Sequence, residues 1–176
     1  TAANLPVKDA LPGPKKITQE LHEVSAWDYL AADGAYLWTI KRLEDAVGEK
    51  SIRPFNKHTG KCEAHPKPRP LYNLPGIGKS ALVIIVEGEK CAQALIDAGH
   101  CATTAMMGAM APAHLTDWSP FQGKDVLIWP DHDEPGKKYA MNCAEAALEA
   151  GASSCAVLLI PEEQPKGWDA ADALAG

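Results

Sequence analysis

Hydrophobic and polar positions follow two different patterns along this chain of 176 residues. In the first half, residues 36–40 alternate after Asp33-Gly34 as in a β-hairpin, and Val47-Gly48-Glu49 marks a second turn. From residue 81 onward, short apolar runs alternate with segments of helical period. The expected strands are 81–86, 101–105, 125–129 and 155–160, and the expected helices are 89–98, 136–150 and 169–175. The pattern predicts an α/β fold, a mainly parallel sheet flanked by helices, preceded by a small β-rich or irregular subdomain.

These patterns divide the chain into three segments. Residues 1–19 contain three prolines and little periodicity, and we interpret them as a linker or arm. Residues 20–78 form the predicted small N-terminal subdomain, and residues 79–176 the α/β domain. The chain begins at Thr1 without a Met, so we expect processing or excision from a longer protein.

Composition narrows the class of protein. With 46% hydrophobic and 23% charged residues the chain is globular in character. Its longest apolar run, residues 81–86, is far shorter than the roughly 20 residues of a membrane-spanning helix. The five cysteines are odd in number and lie mostly in apolar segments. We therefore expect reduced thiols, a cytoplasmic location and no membrane partner.

Charge is distributed unevenly. Residues 1–80 hold twelve Lys/Arg and nine Asp/Glu, whereas residues 81–176 hold five and fourteen. Between residues 50 and 69, six basic side chains accompany a single acid, Glu63. An acidic half joined to a locally basic one suits a metal site beside the path of a polyanion. A solvated charged loop explains the basic segment equally well.

The residues Gly78-Lys79-Ser80 resemble the end of a phosphate-binding P-loop, but their context does not fit. A P-loop follows a strand and leads into a helix, whereas this segment leads into the apolar run at residue 81. We predict that residues 76–80 are the turn before the first strand of the parallel sheet. A dinucleotide-binding enzyme is equally disfavoured, because no Gly-x-Gly-x-x-Gly follows a strand.

Carboxylates carry the strongest chemical signal. Glu87 directly follows the expected strand 81–86, and Asp131 and Asp133 follow the strand 125–129. Residues i and i+2 of extended backbone face the same side, so the two aspartates can converge. Helix capping is the common role of a lone Asp-x-Asp at such a turn. Glu87 and the late pair Asp169 and Asp172 favour a site for a hard divalent cation instead.

These motifs together resemble a known family. Val86-Glu87-Gly88-Glu89, Asp131-x-Asp133-x-x-Gly136 and Trp168-Asp169-Ala170-Ala171-Asp172 are similar to the Toprim domain of primases, topoisomerases and related nucleases. The resemblance covers residues 80–176 and is greatest to primases and primase-helicases of phages, plasmids and integrated elements. It implies a Toprim, Rossmann-like sheet for residues 79–176.

The resemblance also implies roles for individual residues. Glu87 matches the family's general acid or base, and Asp131 and Asp133 match its metal-binding pair. Asp169, with Glu87, would complete the metal site, and Asp172 is a further candidate. Gly88 and Gly136 match the motif glycines. Cys91 stands where bacterial replicative primases often have a second acid, which puts full occupancy by two metals in doubt.

Other candidates come from position. Lys90 and Lys137 lie beside the acidic motifs, where they can reach phosphate or remain solvated, and Gly108 allows the backbone to approach a ligand. Primases of this type place a basic subdomain before the Toprim sheet, so the resemblance implies that residues 20–78 bind nucleic acid. Trp38 or Tyr72 would be a stacking surface, but the strand-like neighbours of Trp38 favour a place in the core. The predicted phosphate contacts are Arg53, Lys57, Lys61, Lys67 and Arg69.

The function expected from this resemblance is primer synthesis. With Mg²⁺ or Mn²⁺, the chain would join nucleoside triphosphates into RNA primers on single-stranded DNA, beside a helicase domain or protein. Two alternatives share the same residues: a Toprim nuclease, and a nucleic-acid-binding adaptor with a degraded site. The presence of Glu87, Asp131 and Asp133 together disfavours the adaptor.

Overall fold

A computed structural model describes residues 21–110 and 112–176 of the chain. The predicted arm at residues 1–19 lies outside the described residues. The described part begins with an antiparallel sheet of four strands in the order β1-β2-β3-β4. Turns at residues 31–35 and 45–49 join the first three strands, which confirms the hairpin and the second turn. The strands are β1 (His22–Leu30), β2 (Tyr36–Glu44), β3 (Lys50–Asn56) and β4 (Lys61–Cys62).

The second half contains a parallel sheet of four strands in the order β6-β5-β7-β8. Its apolar runs give the strands β5 (Leu82–Val86), β6 (Ala102–Thr103), β7 (Asp125–Trp129) and β8 (Ser154–Val157). The helices are α1 (Leu74–Lys79), α2 (Glu89–Asp97), α3 (Glu134–Glu149) and α4 (Ala170–Ala175). A parallel α/β sheet with a β-rich segment before it is therefore confirmed.

Two apolar clusters cover the two faces of the parallel sheet. Successive side chains of β5 point to opposite faces, so Val83 and Ile85 join one cluster, and Ile84 and Val86 join the other. The first cluster receives α3 and α1. The second receives α2, α4 and the antiparallel sheet. Since Tyr29 and Ile40 of the antiparallel sheet are fully buried in the second cluster, the two sheets share apolar core. The proposed boundary at residue 78 stays a prediction.

The expected turn at residues 76–80 is wrong, because a helix occupies this segment. Asn73 caps α1 by accepting a hydrogen bond from the Gly76 N–H, Pro75 stands in its first turn, and Ile77 is buried. The capping and the burial outweigh the helix-breaking tendency of two glycines. The helix comes before β5, whereas a P-loop comes after a strand and leads into a helix. The segment therefore still lacks the order of a P-loop.

The second and fourth strands of the parallel sheet are shorter than expected, and the helix expected from residue 136 begins at Glu134. The strand expected at 101–105 pairs with β5 only at residues 102 and 103, and the strand expected at 155–160 ends at Val157. Within the described residues, no helix combines the length and the apolar character needed to cross a bilayer.

The difference in burial along β5 allows a direct test of the core. Ile85 is fully buried, whereas Leu82 in the same strand is 52% exposed. We expect Ile85→Ala to lower the free energy of unfolding by about 2–5 kcal/mol, because it removes apolar contacts and leaves a cavity. Leu82→Ala is the matched control, with an expected change below about 1 kcal/mol. Urea unfolding followed by circular dichroism measures both, and equal losses would contradict the burial assigned to Ile85.

Candidate metal and nucleotide site

The candidate site lies where two neighbouring parallel strands end. β5 pairs directly with β7, with Val86 opposite Trp129. The carboxyl ends of parallel strands meet at one edge of the sheet, and strand order reverses beside β5 because β6 lies on its other side. Glu87 follows β5 and Asp131 follows β7. The sheet therefore brings the two predicted acids to the same edge.

Buried hydroxyls hold the turn that carries Glu87. Gly88 has a φ of +86°, in a region that favours glycine, and its N–H donates to Thr104 Oγ1 at 3.0 Å. The Tyr139 hydroxyl, from α3, accepts the Ala105 N–H at 3.1 Å and donates to the Val86 carbonyl at 3.4 Å. These contacts tie the ends of β5 and β6 to α3. Sequence reasoning missed Thr104 and Tyr139, because neither belongs to an acidic motif.

The second acidic motif forms the start of α3. Asp133 is the N-cap of this helix, and its Oδ1 accepts the Gly136 N–H at 2.7 Å. A Cβ atom on Gly136 would lie 2.4 Å from the Asp131 carbonyl oxygen. Glycine is therefore required at 136 for the turn to close over Asp131. Asp133 has the capping role that the sequence left open. Its charge acts on Glu87, but Asp133 is not among the residues that line the cavity described below.

The third acidic motif reaches the site through a pairing between loops. The His132 N–H donates to the Trp168 carbonyl at 2.9 Å, and the Gly167 N–H donates to the His132 carbonyl at 3.0 Å. This pairing places Asp169 near Asp131. Asp169 and Asp172 form a reciprocal capping box at the start of α4. Asp172 therefore supports Asp169 and is not among the residues that line the cavity described next.

A cavity of about 310 Å³ opens in front of these acids. Glu87, Asp131 and Asp169 line one side, together with Gly88 and Gly108. Gly108 packs close to Glu87, since a Cβ atom there would lie 3.4 Å from Glu87 Cγ. The antiparallel sheet supplies the opposite side of the cavity: Trp27, Arg42 and Ile52.

The acids perturb one another. Burial, and then the charges of Glu87 and Asp169, raise the pKa of Asp131 to about 7. Burial and the charge of Asp133 also raise the pKa of Glu87. Each carboxyl group thus makes ionisation of its neighbours harder. Glu87 Oε2 is buried and, in the described part of the chain, has no hydrogen-bond partner. Burying a carboxylate oxygen in this way costs free energy unless a ligand contacts it.

The chemistry of this donor set fits a hard divalent cation. Several carboxylate oxygens facing one space, one of them without a partner, are the ligands that Mg²⁺ and Mn²⁺ accept. Within residues 21–110 and 112–176, however, no three acidic, His or Cys side chains already stand close enough to form a complete centre. Binding would require the carboxylates to move toward the ion.

Cys91 faces the same cavity and lies close to Asp169. Burial, with the charge of Asp169 next, raises the pKa of its thiol to about 12. The thiol is therefore neutral at ordinary pH. The position that often carries an acid in bacterial replicative primases contributes no negative charge here.

The other predicted contacts divide between the site and elsewhere. Lys90 lines the cavity with its Nζ 3.7 Å from Asp169 Oδ2. Lys137 is exposed and forms an ion pair with Glu134 at 2.9 Å, which agrees with the solvated alternative. Tyr72 is only 7% exposed and donates to Gln93, so its proposed stacking role is wrong. Trp38 is partly buried against the second apolar cluster.

The five predicted basic contacts do not line this cavity in the described part of the chain. Arg53 lies next to Ile52 in β3 and so points to the opposite face of the antiparallel sheet. Lys57 pairs with Asp28 at 3.1 Å. Lys61 and Lys67 are exposed, and Arg69 belongs to a segment whose backbone pairs with residues 115–117. Their role in nucleic-acid binding stays a prediction.

Arg42 is the cation that sequence reasoning missed. It lies opposite Ile52 in the pairing of β2 with β3, and both side chains line the cavity. Its guanidinium donates to Glu44 Oε1 at 2.9 Å through the terminal nitrogen. The signal in the sequence was weak, because Arg42 lies outside the basic segment at residues 50–69.

The fold and the carboxylates at the edge of its sheet define a Toprim domain. Residues 84–174, which are 91 of the 176 residues, match the family model described as Toprim-like, so the chain belongs to the Toprim-like family. A comparison with curated protein sequences gives no match.

Several solved structures share this fold. The primase fragment of the bacteriophage T7 primase-helicase has a TM-score of 0.55 and 17% identity, over 84% of this chain and 56% of that chain. The Aquifex aeolicus primase, with its zinc-binding and RNA polymerase domains, has a TM-score of 0.57 and 19% identity, over 85% of this chain and 36% of that chain. A DNA primase domain from Pseudomonas aeruginosa has a TM-score of 0.56 and 18% identity, over 85% of this chain and 46% of that chain. The chain thus spans about a third to somewhat over half of these proteins.

The crowding of acids predicts a dependence of stability on pH. The pKa of Asp131 is about 7 in the folded chain against 3.8 for a free carboxyl, so between these values only the folded chain holds the proton. Stability therefore falls as pH rises from about 4 to 7. Without divalent cations, we expect Asp131→Asn to be more stable than the wild type at pH 8 by roughly 1–2 kcal/mol, after allowance for solvent screening.

Urea unfolding at several pH values measures this difference. At about pH 4 both chains carry a neutral group at position 131, so the difference should vanish. A difference that is the same at both pH values would contradict the assignment of the titrating group.

The close approach at Gly136 gives a second prediction for this site. Gly136→Ala would press a Cβ atom against the Asp131 backbone, and we expect it to lower the free energy of unfolding by roughly 2–4 kcal/mol. Gly78→Ala is the matched control in α1, since nothing lies within 4 Å of a Cβ atom there. Thermal melts of both variants measure the effect. Equal melting temperatures would show that the turn around Asp131 is not as tight as described.

Proposed function

We propose that the chain is the catalytic domain of a DNA primase, which joins nucleoside triphosphates into RNA on a single-stranded DNA template. One observation carries the proposal. Carboxylates from three motifs (Glu87, Asp131 and Asp169) face a cavity whose other side holds Trp27 and Arg42. An acidic side suited to metal and an opposite side with a cation and an aromatic ring match the two parts of a metal-bound nucleotide. The primase structures that share the fold support this choice.

The acids would divide the chemical work between them. Asp131, Asp133 and Asp169, with Glu87, would hold the divalent cation. When bound, Mg²⁺ or Mn²⁺ would neutralise triphosphate charge and align the in-line displacement of pyrophosphate. Glu87, whose buried Oε2 has no hydrogen-bond partner in the described part of the chain, would take the proton from the attacking 3′-hydroxyl. No group of the protein needs to form a covalent bond to the substrate.

The cations and the aromatic ring would orient the substrate. Arg42 and Lys90 reach the cavity from opposite sides, where each can contact a phosphate oxygen. Trp27 offers a surface for a base. The exposed basic residues outside the cavity, Lys61 and Lys67 among them, would contact the template backbone. A helicase in the same protein or system is the expected partner, as in the T7 primase-helicase.

The nuclease is the main alternative, because the same acids can activate water against a phosphodiester. Incubation with single-stranded DNA, labelled ribonucleotides and Mg²⁺ or Mn²⁺ distinguishes the two. We expect labelled oligoribonucleotides from the wild type and a loss of about 10²-fold or more in Asp131→Asn, since the metal loses a charged ligand. Glu149→Gln, an exposed acid at the far end of α3, should retain wild-type activity.

Three other outcomes would count against the proposal or against the assignment of its site. Metal-dependent shortening of the DNA without incorporation would indicate the nuclease. Binding of DNA with neither reaction would indicate an adaptor, or a catalytic fragment separated from its template-recognition partner. Loss of activity in Glu149→Gln as large as in Asp131→Asn would show that the assay reports general charge and not this site.

A further inference from the structure

Glu89 is a buried acid that the proposed mechanism does not use. It begins α2, two residues after Glu87, and is only 6% exposed. It lines the same cavity as Glu87 and Asp131. In the part of the chain that the structure describes, it forms no ion pair. A buried carboxylate without a counter-ion needs strong hydrogen bonds to be tolerated. The hydrogen-bond donor to Glu89 therefore indicates what this side chain does.

That partner comes from the other sheet. Tyr29, in β1, is fully buried, and its hydroxyl donates to Glu89 Oε1 at 2.7 Å. The ring of Tyr29 packs edge-on against Tyr72, with centroids 5.3 Å apart. Tyr72 in turn donates to Gln93 Oε1 at 2.7 Å. Two tyrosine hydroxyls therefore hold α2 at positions one helical turn apart.

The position of Tyr29 links this contact to the opposite side of the cavity. Trp27 lies two residues before Tyr29 in the same strand, and so on the same face of the sheet. It lines the cavity with Arg42 and Ile52. Glu87 lies on the opposite side, two residues before Glu89. The Tyr29–Glu89 hydrogen bond is therefore a direct tie between the two sides, close to the groups that would bind nucleotide.

We infer that Glu89 is a positioning residue and not a metal ligand: by accepting the Tyr29 hydroxyl, it sets the spacing between the carboxylates and the side of the cavity formed by the antiparallel sheet. The inference deepens the proposed function, since the nucleotide is the ligand whose fit depends on this spacing. The sequence motif contains Glu89 but gives it no role. The structure instead shows its Oε1 engaged by a hydroxyl from the other sheet.

Three variants separate the two roles. Glu89→Gln retains an oxygen that can accept from Tyr29 but removes the charge. Glu89→Leu removes the acceptor at similar size, and Tyr29→Phe removes only the hydroxyl. If the hydrogen bond positions the two sides, Glu89→Gln should bind nucleotide and synthesise primers within about threefold of the wild type. Tyr29→Phe and Glu89→Leu should raise the KM for nucleotide about tenfold, with a smaller change in kcat.

Mn²⁺ binding, measured by calorimetry without nucleotide or DNA, is the independent readout. We expect all three variants to bind Mn²⁺ as the wild type does. A metal ligand at position 89 would instead weaken Mn²⁺ binding in Glu89→Gln and Glu89→Leu alike, and leave Tyr29→Phe unaffected. That result would overturn the inference, as would a Tyr29→Phe variant with unchanged KM. Thermal melts check folding, and if Glu89→Leu does not fold, the comparison of Glu89→Gln with Tyr29→Phe decides.

A failure of the primase proposal can be distinguished from a failure of the inference about Glu89. A wild-type chain that binds Mn²⁺ but neither binds nucleotide nor makes primers would overturn the primase proposal, and the Mn²⁺ affinities of the variants would then decide the role of Glu89. A wild-type chain that binds no Mn²⁺ would overturn both.

Discussion

Mutual repulsion among half-buried carboxylates is the constraint around which this structure is arranged. Glu87 and Asp131 are brought to one edge by the pairing of β5 with β7, and Asp169 arrives through the loop that pairs with His132. Burial first, and the proximity of these charges next, raise the pKa of Asp131 to about 7. The fold tolerates this because Asp133 and Asp169 also cap helices, where backbone N–H groups and the helix dipole favour negative charge. Residual repulsion is the feature that a cation would relieve.

Rigid supports keep the acids in place against this repulsion. The Tyr139 hydroxyl ties the end of β5 to α3 and to the residue after Thr104. Gly136 allows α3 to start directly over Asp131. These contacts are buried. They hold the charged groups in position but do not themselves donate hydrogen bonds to a ligand in the cavity. Function at the sheet edge therefore depends on a hydroxyl and a glycine as much as on the acids.

The antiparallel sheet is part of the site and not only a neighbour of it. Its buried face contributes Tyr29 and Ile40 to the apolar core and Trp27 and Arg42 to the cavity. The opposite face carries Arg53. A binding surface for a template on that face and a nucleotide in the cavity would thus lie on different sides of one sheet. The segment that sequence patterns separate from the α/β domain supplies Trp27, Arg42 and Ile52 to the candidate site.

The sequence by itself determined the local features of this protein. The apolar runs and the helical period predicted the parallel sheet and its helices, because burial on both faces leaves a continuous apolar strand. The motifs predicted Glu87, Asp131, Asp133 and Asp169, because acids after strand ends meet at one edge. Tertiary structure alone decided which cations face these acids: Arg42 does, and Arg53 does not, because strand pairing alternates the side chains. It also decided that residues 74–79 form a helix, because burial of Ile77 in the first apolar cluster adds to the local cap at Asn73. It decided likewise that Glu89 meets Tyr29, since the two residues lie 60 positions apart in the chain.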